Sequence, residues 1–275
     1  MLVFRESAKE IDGFLESLLV ASDVDCQHYA RAALRRRFLN WRQEEGVENL
    51  EDLRERVGSD PLLRERWLSA LSVHPISMFR EPGFLRVFRC EVVPFLRTFP
   101  SINIWHMGCG GGEQVYALAI ALREEGIYER SRIYATDSFD SVVARAKRGI
   151  YPLEHWTSQS DLYLESGGHA ALSNYYSVED GFGFAHPALR DRIVFAQHNL
   201  STDASFNEFQ LIICRDVLIY FNRRLHTRVL NLVDNSLCRF GVLGLGFGES
   251  LRLHPRRDQY EEISTAARFF RRVGL

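Results

Sequence analysis

Residues 108–113 read Gly-Cys-Gly-Gly-Gly-Glu, and they stand between two apolar patterns. Before them Ile102, Ile104, Trp105 and Met107 mark a strand; after them Val115, Leu118, Ala119 and Leu122 recur at helical spacing. A glycine-rich turn from strand to helix offers free backbone N–H groups and a helix N-terminus to a nucleotide-like ligand. The spacing selects among such ligands. Gly108, Gly110 and Gly112 form G-x-G-x-G, and Glu113 follows where a dinucleotide fingerprint has its third glycine. A carboxylate there repels a pyrophosphate and suits a cationic ligand without phosphates, such as S-adenosylmethionine. A nicotinamide oxidoreductase is disfavoured on the same ground.

Three further strand ends carry polar residues. Ile133-Tyr-Ala-Thr-Asp137 closes the next strand on an acid, the position that accepts hydrogen bonds from the ribose hydroxyls of an adenine nucleoside. Val194-Phe-Ala-Gln-His-Asn-Leu200 is a strand followed by a polar turn. Phe209-Gln-Leu-Ile-Ile-Cys214 is apolar but for Gln210 and ends in Arg215-Asp216, after which a short segment presents Tyr220. Charges closing a buried strand are costly unless they pair or face a cleft.

These strand ends need a scaffold, and the pattern supplies one. Apolar strand candidates at 102–107, 132–136, 192–196, 210–214, 242–247 and 267–273 alternate with amphipathic helices. That alternation predicts a doubly wound α/β domain with a mainly parallel sheet over 101–275. Residues 1–75 predict a small all-helical N-terminal domain, with helices near 5–20, 27–43, 48–57 and 60–72; Asp23, Glu48 and Asp60-Pro61 are its helix-start signals. A helical junction over 76–100 joins the two.

Composition excludes several classes of protein. The 275 residues carry a net charge of −2, so nothing draws the chain to nucleic acid or to a membrane surface. No apolar run approaches the roughly 20 residues of a bilayer span, and the first ten residues lack a signal-peptide profile. Five scattered cysteines (Cys26, Cys90, Cys109, Cys214 and Cys238), never in C-x-x-C, fit reduced cytoplasmic thiols and no metal site.

The motifs together resemble the CheR-type chemotaxis-receptor methyltransferases, from about residue 8 to the end. Ser77-Met-Phe-Arg-Glu-Pro82 is similar to that family's Thr-x-Phe-Phe-Arg-Glu junction. Gly108-Cys-Gly-Gly-Gly-Glu-Gln-Val-Tyr116 is similar to its Gly-Cys-Ser-Thr-Gly-Glu-Glu-Pro-Tyr turn. Ala135-Thr-Asp137 and Asn199-Leu200 match directly. Cys214-Arg-Asp-Val-Leu-Ile-Tyr-Phe-Asn222 resembles Cys-Arg-Asn-Val-Leu-Ile-Tyr-Phe, and Leu245-Gly-Phe-Gly-Glu-Ser250 resembles Gly-x-x-Glu-Ser. The resemblance implies a class I S-adenosylmethionine methyltransferase fold and methylation of glutamate side chains on a receptor or signalling protein.

It also implies site residues. Gly108, Gly110, Glu113, Asp137, Asn199, Leu200, Arg215 and Asp216 line the cofactor site. Arg80 contacts the cofactor and, with Tyr220, stands near the methyl group and the substrate carboxylate. His74 holds a cofactor contact where the family has Asn. Ile76 and Asp216 depart from the family's Thr and Asn, which motivates an alternative: a catalytically weak or inactive homologue that binds the cofactor or its demethylated product and signals by protein contact. Tyr175–Ala185 looks like the family's small β insertion. Finally, Arg31, Arg35, Arg36, Arg37 and Arg42 lie between Gln27 and Gln43 with no acid among them. Arg31, Arg35 and Arg42 share one helix side, and the resemblance implies that this basic face docks on an acidic receptor helix bundle.

Overall fold

The computed structural model describes residues 6–21, 29–71, 77–154, 156–252 and 254–274. His74 and Ile76, two of the departures from the family pattern, lie outside the described residues, as does Asp23.

Four helices form the N-terminal part: α1 Ala8–Ala21, α2 Arg31–Glu44, α3 Leu50–Ser59 and α4 Pro61–Leu71. They bury a cluster of their own that includes Phe14, Leu18, Phe38, Trp41, Leu53, Leu63 and Trp67. Asn49, not the expected Glu48, caps α3, its side chain accepting from Asp52 N at 2.8 Å. Asp60 caps α4 as expected, accepting from Leu62 N at 2.9 Å, with Pro61 at the first helical position.

The junction is helical: α5 Pro82–Val87, a π-helical turn over Phe88–Val92, and α6 Val93–Leu96. The α/β part follows with β1 Ile102–Met107, α7 Glu113–Glu124, β2 Ser131–Asp137, α8 Asp140–Arg148, β3 Ile150–Pro152 and α9 Trp156–Glu165. Then come β4 Tyr176–Glu179, β5 Phe182–Ala185, α10 Pro187–Arg190, β6 Ile193–Gln197, β7 Phe209–Cys214, α11 Arg223–Ser236, β8 Leu237–Leu245, β9 Tyr260–Ser264 and β10 Phe269–Arg272. The main sheet runs β6-β2-β1-β7-β8-β10-β9. Its first five strands are parallel, and β10 is antiparallel to both neighbours. This is the class I methyltransferase fold that the motifs implied. β3, β5 and β4 form the separate small sheet.

Alternate side chains of the central strands serve opposite faces. Leu211 and Ile213 of β7 join the apolar cluster under α5, α6 and α7; Ile212 and Cys214 join a second cluster under α11. Because β1, β2 and β7 are parallel neighbours, Met107, Asp137 and Arg215 come to the same carboxyl edge. β9 was not foreseen, because Tyr-Glu-Glu-Ile-Ser is an edge strand with little apolar signal.

The arginine face of α2 is not what its sequence window implied. Arg35 makes a two-point pair with Asp12 of α1, at 3.1 and 2.7 Å, and this bond raises the arginine's pKa. Arg31 pairs with Glu16 of α1 at 2.6 Å. Arg42 is fully buried, donating to Val47 O, Glu48 O and Glu6. The acids absent between Gln27 and Gln43 come from α1 and its approach, so Arg42 is removed from any docking face, and Arg31 and Arg35 are already paired.

Candidate functional site

Beyond Met107 the chain turns through three left-handed glycines, Gly108 (φ 64°), Gly110 (φ 54°) and Gly112 (φ 89°). A Cβ on Gly112 would meet Tyr151 Oη at 3.0 Å and Ala146 Cβ at 3.1 Å, so dihedral and space both require glycine. Asp137 fastens this turn to β2. Its Oδ2 accepts from Gly110 N at 3.0 Å and its Oδ1 from Ser138 N at 2.9 Å. The two sites read separately from the sequence are therefore one hydrogen-bonded unit.

Glu113 opens α7. Its Oε2 is closed off from solvent and has no hydrogen-bond partner. Burial raises its pKa, opposed by a hydrogen bond from its own backbone N–H and by Arg145. A buried carboxylate oxygen without a donor is costly, and a ligand bringing an ammonium or sulfonium would offset that cost. The orphan oxygen is the observation by which this cradle fits S-adenosylmethionine.

Two clefts flank the sheet edge. One is lined by Gly108, Asp137, Ser138, His198, Leu200, Val217 and Tyr220, with Tyr29 and Leu71 of the helical part closing it. The other is lined by Arg80, Phe84, His106, Gln114 and Arg215. In the second, Arg80 Nε, His106 Nδ1 and Nε2, Gln114 Nε2 and Arg215 Nε are buried without partners. Burial, reinforced by Arg215, depresses His106 to about 3, so its ring is neutral. Arg80 lines the second cleft and Tyr220 the first, and the segment from Arg215 to Tyr220, whose Asp216 pairs with Arg80, connects the two.

That loop is tightly held. Arg215 is buried, pairs with Glu81 and lies 3.9 Å over the Phe84 ring; burial lowers its pKa. Asp216 pairs with Arg80 and has φ 59°, a conformation that Asp and Asn tolerate better than other side chains. Aspartate in place of the family's Asn thus keeps the backbone and adds a partner for Arg80. Glu249 gathers four backbone donors: Asp216 N (3.1 Å) and Gly246 N (2.7 Å) on Oε2, Val217 N (2.8 Å) and Leu218 N (2.6 Å) on Oε1.

The model for the CheR methyltransferase SAM-binding domain matches residues 76–267. The chain belongs to the CheR methyltransferase family. It is 39% identical over 268 residues to Cher3 of Pseudomonas putida, whose designation as a methyltransferase is provisional, covering 98% of each chain. It is 28% identical to the chemotaxis protein methyltransferase Cher2 of the same organism, over 80% of this chain and 82% of the relative. It is 27% identical to chemotaxis protein methyltransferase 1 of Pseudomonas aeruginosa, over 80% and 82%. As a CheR-family methyltransferase the chain uses S-adenosylmethionine as its cofactor.

Asn199 stands between His198 and Leu200, which line the first cleft. Its Oδ1 accepts from Ser201 N at 2.9 Å and Ser201 Oγ at 2.7 Å, and its own N donates to Asp203 Oδ2 at 2.8 Å. It shapes the turn that presents Leu200 to the cleft. Sequence reasoning did not single out Glu249, Glu81 or His106 as site residues. For His106 a signal existed, a histidine inside an otherwise apolar strand; Glu81 and Glu249 stood inside the motifs that resemble the family, but their partners Arg215 and Val217 lie more than 30 residues away.

Proposed function

We propose that this CheR-family methyltransferase methylates the carboxylate of a glutamate side chain on a receptor or related signalling protein, in the cytoplasm. The observation that carries the reading is Arg80 at the sheet edge. Its side chain stays 40% exposed while paired with Asp216, so the residue is accessible to a second carboxylate. When bound, S-adenosylmethionine supplies an electrophilic methyl group on a sulfonium. A carboxylate nucleophile is already ionised at neutral pH, so the residues need only position it and exclude water. Arg80 holds the substrate carboxylate by charge-assisted hydrogen bonds. Tyr220 orients the reacting oxygen. Glu113 would hold the cofactor's ammonium and Asp137 its ribose hydroxyls, and Leu200 would add an apolar wall to the same cleft. Among the described residues no cluster of His, Cys, Asp and Glu suits a metal ion, and no helix is long and apolar enough to cross a membrane.

One observation favours the second reading, a cofactor-binding regulator with weak or no turnover. Arg80 already carries the carboxylate of Asp216, where the family has a neutral Asn. Calorimetry with the cofactor and its demethylated product, followed by tritium transfer to candidate receptors, separates the two. Transfer by the unmodified protein is expected. Tight cofactor binding without transfer, together with transfer gained by Asp216→Asn, would establish the regulator instead. Tyr220→Phe should keep the calorimetric affinity and lower transfer roughly tenfold or more, the loss of one transition-state hydrogen bond.

A further inference from the structure

The fate of the α2 arginines leaves Arg37 as the one that reaches the reaction centre. Its guanidinium lies 3.5 Å from the centroid of the Tyr220 ring, while Nη1 donates to Ala70 O at the end of α4, 3.4 Å away. The backbone of the tyrosine is held from the same side. Ala30 N, just before α2, donates to Tyr220 O at 2.8 Å. Tyr29 and Phe221 pair as an isolated antiparallel bridge, with ring centroids 5.4 Å apart. Tyr220 itself sits in a short 3₁₀ turn, Leu218–Tyr220, whose first residues hang from Glu249. Its backbone is thus fixed by the sheet edge and the helical part together, and its ring is gripped by one cation.

We propose that Arg37 is a positioning residue for methyl transfer: it fixes the ring of Tyr220 and thereby makes the helical part a component of the reaction centre. The inference rests on the role of Tyr220 given above. A planar guanidinium on a ring face restricts the ring's rotation and tilt, so the hydroxyl points in one direction only while α2 is docked. A protein partner that shifts α2 would reach the reaction through this contact.

The test uses the full chain with tyrosine rings labelled with carbon-13, the Tyr220 signal being assigned by its loss in Tyr220→Phe. Arg37→Met should move that signal and broaden or sharpen it. Arg37→Lys, which keeps the cation, should restore part of the shift. In methyl-transfer assays Arg37→Met should lower kcat roughly tenfold, within the range of a cation–π contact, with calorimetric cofactor affinity and thermal midpoint unchanged. Added to Tyr220→Phe it should cost nothing more. A Tyr220 signal unmoved by Arg37→Met, or a kcat loss additive with Tyr220→Phe, overturns the proposal. A lowered thermal midpoint with a matching loss of cofactor affinity reduces Arg37 to domain packing. Absence of transfer by the wild-type protein sinks the methyltransferase reading, and the ring signal then shows separately whether the contact exists.

Discussion

Glu113 and Glu249 are both buried at the carboxyl edge of the sheet, and burial raises the pKa of each. Their surroundings are opposite. Glu249, after β8, receives four backbone N–H groups and pins the loop after β7 to the loop after β8. Glu113, at the start of α7, leaves Oε2 without a donor. A satisfied buried carboxylate builds structure; an unsatisfied one spends stability on a site that a ligand completes. The two regions should therefore fail in different ways when disturbed.

The largest effect is expected at Glu249. Glu249→Ala leaves four backbone donors buried without an acceptor and should lower unfolding free energy by about 3 kcal/mol or more, as measured by chemical denaturation. A loss below about 1 kcal/mol would erase the contrast.

Glu113→Gln is the complementary case. It should weaken S-adenosylmethionine binding by roughly 1–3 kcal/mol, the worth of a charged hydrogen bond to the ligand, without destabilising the free protein. The sign with pH follows from linkage. Because the folded pKa of Glu113 is raised, the folded state holds its proton more tightly, and stability falls as pH climbs from the ordinary glutamate value of 4.5 through the folded pKa. Glu113→Gln removes that penalty, so its stability relative to wild type should increase from pH 4.5 towards neutrality. A variant less stable than wild type at pH 7 would mean that the residue's own backbone N–H and Arg145 outweigh the cost of burying the Glu113 carboxylate.

Asp137 lies between the two, because it is satisfied by Gly110 N and Ser138 N and also faces the cleft. Asp137→Ala should reduce cofactor affinity by roughly 1–3 kcal/mol and loosen the glycine turn, giving faster amide exchange at Gly110. Unchanged affinity would refute the ribose role.

The last effect is absent at neutral pH and concerns acid. His106 is neutral and titrates at about 3 in the fold against 6.5 as a free side chain. The unfolded chain therefore binds the extra proton first, and folding stability drops as pH falls below 6.5, by at most about 1.4 kcal/mol per pH unit. His106→Leu should flatten the denaturation profile between pH 6.5 and pH 4. An identical slope in both proteins would show that His106 finds a charge partner.

Much of the cradle was legible because its determinants are local. Three glycines at fixed spacing can only be a turn with left-handed dihedrals, and Glu113 follows directly on them. Asp137 and Arg215-Asp216 stood out as charges closing apolar strands, and a parallel sheet with short connections brings such ends together. The helical N-terminal part followed from periodicity, and the small β insertion from its resemblance to the family.

The pairing of charges was not legible. The acids that engage Arg31 and Arg35 sit on α1, 15 and 23 positions earlier in the chain, and the stretch from Gln27 to Gln43 shows arginines and no acid. Glu249 is one acid among 36 Asp and Glu in the sequence; folding alone brings it to the amides of Asp216, Val217 and Leu218, more than 30 positions upstream. The same holds for Arg37 over Tyr220, a contact between the second helix and a turn about 180 residues later. Spacing in sequence determines dihedrals, strand ends and amphipathic faces, because those depend on near neighbours. Which charge is spent on structure and which is left for a ligand depends on desolvation and on partners that only the packed chain supplies.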